Sequence, residues 1–188
     1  MAKILPIVKD PHKVLRKQAQ EVPPETITDP KIRELVLNMK ETLKNTPTGV
    51  GFAAPQVGQS LRIFIVSEEA EEIDRAERRT RKKRSEWRGK PEEKPYEARE
   101  WKYYVFINPA AKNAARKKTE DAEGCLSVPR KYGTIKRHEK ITVEAYDESG
   151  KRFIRGASRF FARVIQHELD HLNGILIIDK MEQVISDE

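Results

Sequence analysis

The chain has 188 residues, of which 36% are charged and 37% hydrophobic, with a formal net charge of +7. That length suits one domain with a real core, and no apolar run approaches the ~20 residues of a membrane span. The N-terminal MAKILPIVKDPHKVLR has no stretch apolar enough for a secretory signal, so the cytoplasm is the expected compartment and no membrane is expected as a partner. Cys125 is the only cysteine, which excludes an intramolecular disulfide. The basic excess is local. RAERRTRKKR (75–84) carries seven basic residues against one acid, and the other 178 residues sum to +1.

In chain order, DPKIRELVLNMKETL predicts the first helix. Asp29 is placed to cap it, Pro30 suits its first turn, and Ile32, Leu35, Val36, Met39 and Leu43 form an apolar stripe. TPTGVGFAAPQVG, built of small residues and prolines, cannot be a regular helix. LRIFIV (61–66) and YYVFINP (103–109) read as short buried strands. Between them, SEEAEEIDRAERRTRKKRSEW predicts a solvated helix projecting from the sheet. Ser67 is its expected cap, its acids precede its bases, and Glu71–Arg75, Asp74–Arg78 and Glu77–Arg81 are spaced as i,i+4 pairs. An extended KPEEKPYEAREW return follows. EKITVEAYDESGKRFIRG predicts a β-hairpin turning at Asp147 to Gly150. SRFFARVIQHELDHLNG predicts an amphipathic helix that buries Phe161, Val164, Ile165, Glu168, His171 and Leu172 and stops at Asn173-Gly174. ILIID after it is strand-like.

That helix carries the chemistry. In QHELDH, His167 and His171 are four apart, so both imidazoles sit on one face and can point at one ion, with Glu168 beside them. A satisfied core histidine explains one such residue better than it explains two. A tetrahedral site needs a further protein ligand. An acidic residue, another histidine or Cys125 could supply it; His12 and His138 read as surface residues, while Cys125 is tightly framed in EGCLSVP.

GVGFAAPQVG (49–58), EGCLSVP (123–129) and QHELDHLNG (166–174) together resemble, in order, the three signature motifs of bacterial peptide deformylases. DPHKVLRKQAQEV is similar to that family's opening. The resemblance implies one α+β domain over 1–188, with antiparallel or mixed β-strands packed around the HExxH helix and a charged insertion at about 67–101. It implies a metal-dependent hydrolase that removes the formyl group from formyl-methionine of new proteins as formate. Carried over, Cys125, His167 and His171 are the metal ligands and Glu168 is the general acid–base. Gln56 and the Leu126 N–H are the oxyanion donors, and Gly51 lets its loop approach the substrate backbone. Val50, Phe160 and Val164 are the candidates for a methionine slot. The implied metal is Fe²⁺, with Zn²⁺ or Ni²⁺ possible after purification.

Two features depart from the family. The chain ends soon after ILIID, where many relatives continue into a longer helix, so that helix is expected to be absent or very short. The insertion concentrates Arg78, Arg79, Arg81, Lys82, Lys83 and Arg84, which suit docking on an anionic surface such as ribosomal RNA, against the simpler role of a solvated spacer.

Overall fold

The computed structural model describes residues 2–84, 102–182 and 184–186. Helix α1 (Pro30–Lys44) buries Val36, Met39 and Leu43, with Ile32 and Leu35 partly covered, as its stripe requires. Asp29 precedes it, but the helix is entered through the Asp29 carbonyl, which accepts the Arg33 N–H at 3.0 Å; the carboxylate makes no capping bond.

Strands β1 (Gly51–Ala53), β2 (Ile63–Ser67), β3 (Tyr103–Ala114), β6 (Lys140–Tyr146) and β7 (Arg152–Ser158) form an antiparallel sheet in the order β1-β2-β3-β6-β7. Strands β4 (Lys118–Cys125), β5 (Val128–His138) and β8 (Val184–Ser186) form a second antiparallel sheet, β4-β5-β8. The β6–β7 hairpin turns at Asp147 to Gly150 as expected. Asp147 Oδ1 accepts the Ser149 and Lys151 N–H groups, and Gly150 takes a φ of 82°.

Helix α3 (Arg159–Leu172) lies on one face of the larger sheet and α1 serves the other. Phe64, Val66, Phe106 and Val143 pack with Phe161, Ile165 and Leu172 on the α3 side. Ile63, Ile65, Val105 and Ile107 join Val36 and Met39 on the α1 side. β2 is buried at every position because successive side chains serve opposite cores, so its sequence reads as an unbroken apolar run. α3 stops at Asn173, and Gly174 follows with φ 72° against the Arg16 backbone.

Helix α2 (Glu69–Arg84) occupies the first half of the insertion. Its first turns do not project into solvent as the sequence predicts. Ala70 is fully buried, Asp74 is 6% exposed, and Glu71 pairs with Arg155 of β7 at 2.5 Å and with the Tyr104 hydroxyl at 2.9 Å. The helix is docked by polar contacts, which a hydrophobicity pattern does not register. The Ser67 hydroxyl accepts the Glu69 N–H at 3.2 Å, and Glu71 meets Arg75 at 3.5 Å. The Asp74–Arg78 and Glu77–Arg81 pairs and the KPEEKPYEAREW return involve side chains or segments outside the described residues. ILIID is not a strand: Ile177–Asp179 makes a 3₁₀ turn, closed where Asp179 accepts the Leu176 N–H at 2.8 Å.

Candidate metal centre

The β4–β5 hairpin and α3 build the site between them. β4 ends at Cys125, Leu126 and Ser127 make the turn, and Val128 pairs back across to Cys125. This tight return presents Cys125 to the helix face carrying His167 and His171. The sulfur and one nitrogen from each ring lie within 4.8 Å of one another, and Cys125 Sγ is 3.3 Å from His171 Nε2. A tetrahedral ion with bonds of about 2.0–2.3 Å holds its ligand atoms roughly 3.3–3.8 Å apart, so the donor set and spacing fit one divalent ion. The Ser127 N–H and Gln56 Nε2 approach the sulfur at 3.4 and 3.9 Å, donors of the kind a coordinated thiolate accepts.

Behind the ligands lies a buried charged network. His167 Nδ1 is 3.0 Å from Glu123 Oε2, which leaves Nε2 to face the ligand cluster. Glu123 also accepts two bonds from Arg137, both at 2.8 Å, and one from Arg163 at 2.7 Å. Arg137 reaches Asp170 at 2.5 Å, and Lys180 closes on Asp170 from outside. Burial pushes the Glu123 carboxyl up, but the hydrogen bonds and charges of Arg137 and His167 outweigh it and hold Glu123 well below the usual carboxylate range. Burial lowers His167, yet the hydrogen bonds of Cys125 and Glu123, with the charge of Cys125, outweigh it and raise it to about 10. Burial, then the charges of His167 and Arg137, keep His171 well below its ordinary value, so it stays neutral, the form that ligates.

Glu168 follows His167 on α3 and lines the same cleft, against Gly51. It is 2% exposed, burial raises its carboxyl to about 7, and Oε2 has no hydrogen-bond partner among the described residues. Gly51 makes room for it. A β-carbon at residue 51 would lie 2.4 Å from Glu168 Oε1 and 2.7 Å from Val164 Cγ1. The close approach that calls for glycine is therefore to the carboxylate itself.

A cleft of about 570 Å³ opens over this centre, lined by Val50, Gly51, Gln56, Leu126, Phe160, Val164 and Glu168 among others. Gln56 is 2% exposed; its Oε1 accepts the Ala53 N–H at 2.9 Å, which turns Nε2 toward Cys125 and Ser127. Every site residue expected from the sequence thus lies at this one place. His12 is exposed and accepts the Val14 N–H, while His138, expected at the surface, is half-buried against the Ala115 carbonyl at 2.6 Å. Neither joins the ligand cluster.

The profile of the polypeptide deformylase family matches residues 4–186. The chain belongs to that family. It is 37% identical over 175 residues to peptide deformylase 1A, chloroplastic/mitochondrial, of Arabidopsis thaliana, covering 93% of this chain and 60% of the plant protein. It is 35% identical over 185 residues to the peptide deformylase of Christiangramia forsetii, covering 96% and 83% of the two chains. The Met-Ala-Ser-bound crystal structure of the class I type b peptide deformylase from Acinetobacter baumannii superposes with a TM-score of 0.75 at 30% identity, over 96% of this chain and 100% of that one. The chain thus spans less than two thirds of the plant relative, 83% of the Christiangramia forsetii protein and all of the Acinetobacter baumannii chain.

Sequence reasoning missed Glu123, Arg137, Arg163 and Asp170 as supports of this deformylase-family centre. Two of them stood inside quoted motifs, Glu123 beside Gly124-Cys125 and Asp170 beside His171, and Arg163 stands one helical turn before His167. Arg137 sits in a run of basic residues and carries no local signal.

Proposed function

We propose that this chain is a metal-dependent hydrolase that removes the formyl group from the N-terminus of formyl-methionyl peptides and releases formate. The observation that carries this reading is the cluster of one sulfur and two imidazole nitrogens within 4.8 Å, beside a buried carboxylate one of whose oxygens has no partner among the described residues. Cys125, His167 and His171 would hold the ion. When bound, such a metal brings the pKa of a water near neutrality and polarises a carbonyl oxygen. The donor set suits Fe²⁺, Zn²⁺ or Ni²⁺, and Fe²⁺ is the native ion that the family resemblance implies.

Glu168 moves the proton. A carboxyl raised to about 7 by burial takes a proton from the attacking water and returns it to the amine nitrogen as the C–N bond breaks. The water oxygen leaves in formate and the peptide leaves with a free α-amine. The Gln56 amide is held by its bond to Ala53, so Nε2 is a pre-set donor to the oxygen that gains negative charge. The Leu126 N–H, at the hairpin turn, is its partner in this role. Val50, Phe160 and Val164 receive the methionine side chain. Met-Ala-Ser, bound by the Acinetobacter baumannii relative, has the form of a deformylated product.

The site of action proposed is the cytoplasm, where nascent chains emerge; among the described residues no helix is long and apolar enough to cross a membrane. The basic residues 78–84 are proposed to dock on the ribosome, supported by their concentration of charge. The test of the activity is formate release by one pure, metal-analysed sample. Formyl-Met-Ala should be cleaved, and acetyl-Met-Ala and longer unblocked peptides spared. Cleavage of internal peptide bonds without formate release would replace the reading with an endopeptidase.

A further inference from the structure

Asp74 lies on the inward face of α2, 6% exposed, far in sequence from the helix it touches. Its Oδ1 accepts the Phe160 N–H at 3.0 Å and its Oδ2 accepts the Phe161 N–H at 3.2 Å. These amides belong to the first turn of α3, where N–H groups have no partner inside their own helix. The entry to α3 is also strained, because Arg159 adopts a left-handed φ of 56°. One carboxylate from the insertion thus satisfies both donors just past a disfavoured backbone turn. Glu71, one turn earlier, braces the same helix against Arg155 and Tyr104, so α2 does not hang from Asp74 alone.

Phe160 is the first α3 residue to line the cleft, Val164 follows one turn later, and Glu168 one turn after that. The later turns of α3 are held by other means: Ile165, Leu169 and Leu172 are buried in the core, and His167 is held by Glu123. The insertion meets its first turn, which is also held by the Arg159 N–H bond to the Glu139 carbonyl at 2.8 Å and by the buried Phe161 ring.

We propose that Asp74 is a positioning residue for the substrate slot: by holding the Phe160 and Phe161 amides of α3 from outside, it sets Phe160 as the wall against which the N-terminal methionine packs. The proposal rests on the deformylase reading and deepens it. The insertion helix then belongs to the specificity apparatus of the cleft, and is not only a spacer.

The experiment uses the metal-loaded full chain and the variants Asp74→Ala and Asp74→Asn. Hydrogen exchange at the Phe160 and Phe161 amides should quicken about fivefold or more in Asp74→Ala, the scale of a lost cap. KM for formyl-Met-Ala-Ser should rise by a similar factor, and the preference for formyl-Met over formyl-Ala peptides should narrow. Metal content and kcat should hold. Asp74→Asn, which keeps one acceptor oxygen, should fall between, and it carries the test if the alanine variant does not fold. Unchanged exchange overturns the capping role. Faster exchange with unchanged KM and selectivity overturns the positioning role, as does a joint loss of kcat, KM and metal. If the wild type releases no formate, the activity reading fails separately, while the exchange rates still decide the cap.

Discussion

Replacing Gly51 by Ala adds one methyl group where the structure leaves no room for it. The new carbon would lie 2.4 Å from Glu168 Oε1, 3.0 Å from Glu168 Cδ and 2.7 Å from Val164 Cγ1. Comfortable contact needs about 3.5 Å, so the carboxylate must retreat by roughly 1 Å or the strand must move. Glu168 is 2% exposed and Val164 6%, so both are packed over nearly all of their surface. Gly51 is not among the glycines with positive φ, and at such positions Gly→Ala stabilises by about 0.4–1 kcal/mol through the unfolded chain. Overpacking costs about 1–3 kcal/mol and should exceed that gain. A misplacement of about 1 Å at a catalytic group costs on the order of 10²-fold in rate. The expected result is therefore a drop in kcat/KM of about 10²-fold, with metal content unchanged, because the cluster of Cys125, His167 and His171 is not what the methyl meets. Formate release, metal analysis and urea unfolding on one preparation measure all three. A variant with wild-type kcat/KM and raised stability would show that Glu168 does not need the place the glycine reserves for it.

Glu168→Ala should keep its metal and lose about 10²–10⁴-fold in kcat, the usual share of an acid–base group; near-normal formate release would remove it from the mechanism. Cys125→Ser should bind metal more weakly in a competition titration with a chelator, since a hydroxyl replaces a thiolate, and equal affinity would place the third ligand elsewhere. Glu123→Ala leaves Arg137 and Arg163 buried without their carboxylate, and breaking such a pair costs about 3–5 kcal/mol. Its metal affinity should also fall by about 10–100-fold; a stable variant with native affinity would separate the network from the centre. Reversing Arg78, Arg79, Arg81, Lys82, Lys83 and Arg84 to glutamate should weaken sedimentation with ribosomes and flatten its salt dependence while sparing dipeptide turnover, and equal binding across a salt series would leave α2's tip a spacer.

What could be read from the sequence tracked where hydrophobicity reports burial. β2 and α3 were legible because their inward faces are apolar, and the candidate ligand set came from the resemblance of the three motifs to a known family. The β4–β5 hairpin was not legible as strands. Two of its inward positions hold Glu123 and Arg137, 7% and 3% exposed, which satisfy each other and disguise a buried position as a solvated one. The docking of α2 escaped for the same reason, since Glu71 and Asp74 make its contacts through oxygens. The site residues were legible as types and the supports of the site were not, because a salt bridge between distant segments leaves no periodicity in either.

The division of the candidate ligands between a hairpin and a later helix also sets an order of events during synthesis. Cys125 and His167 are 42 residues apart, so at about 5–20 residues per second the thiol leaves the ribosome roughly 2–8 s before the imidazole it faces in the folded chain. For that interval the nascent chain carries an unaccompanied sulfur. With no other cysteine in the sequence, it has no intrachain partner with which to oxidise wrongly while it waits.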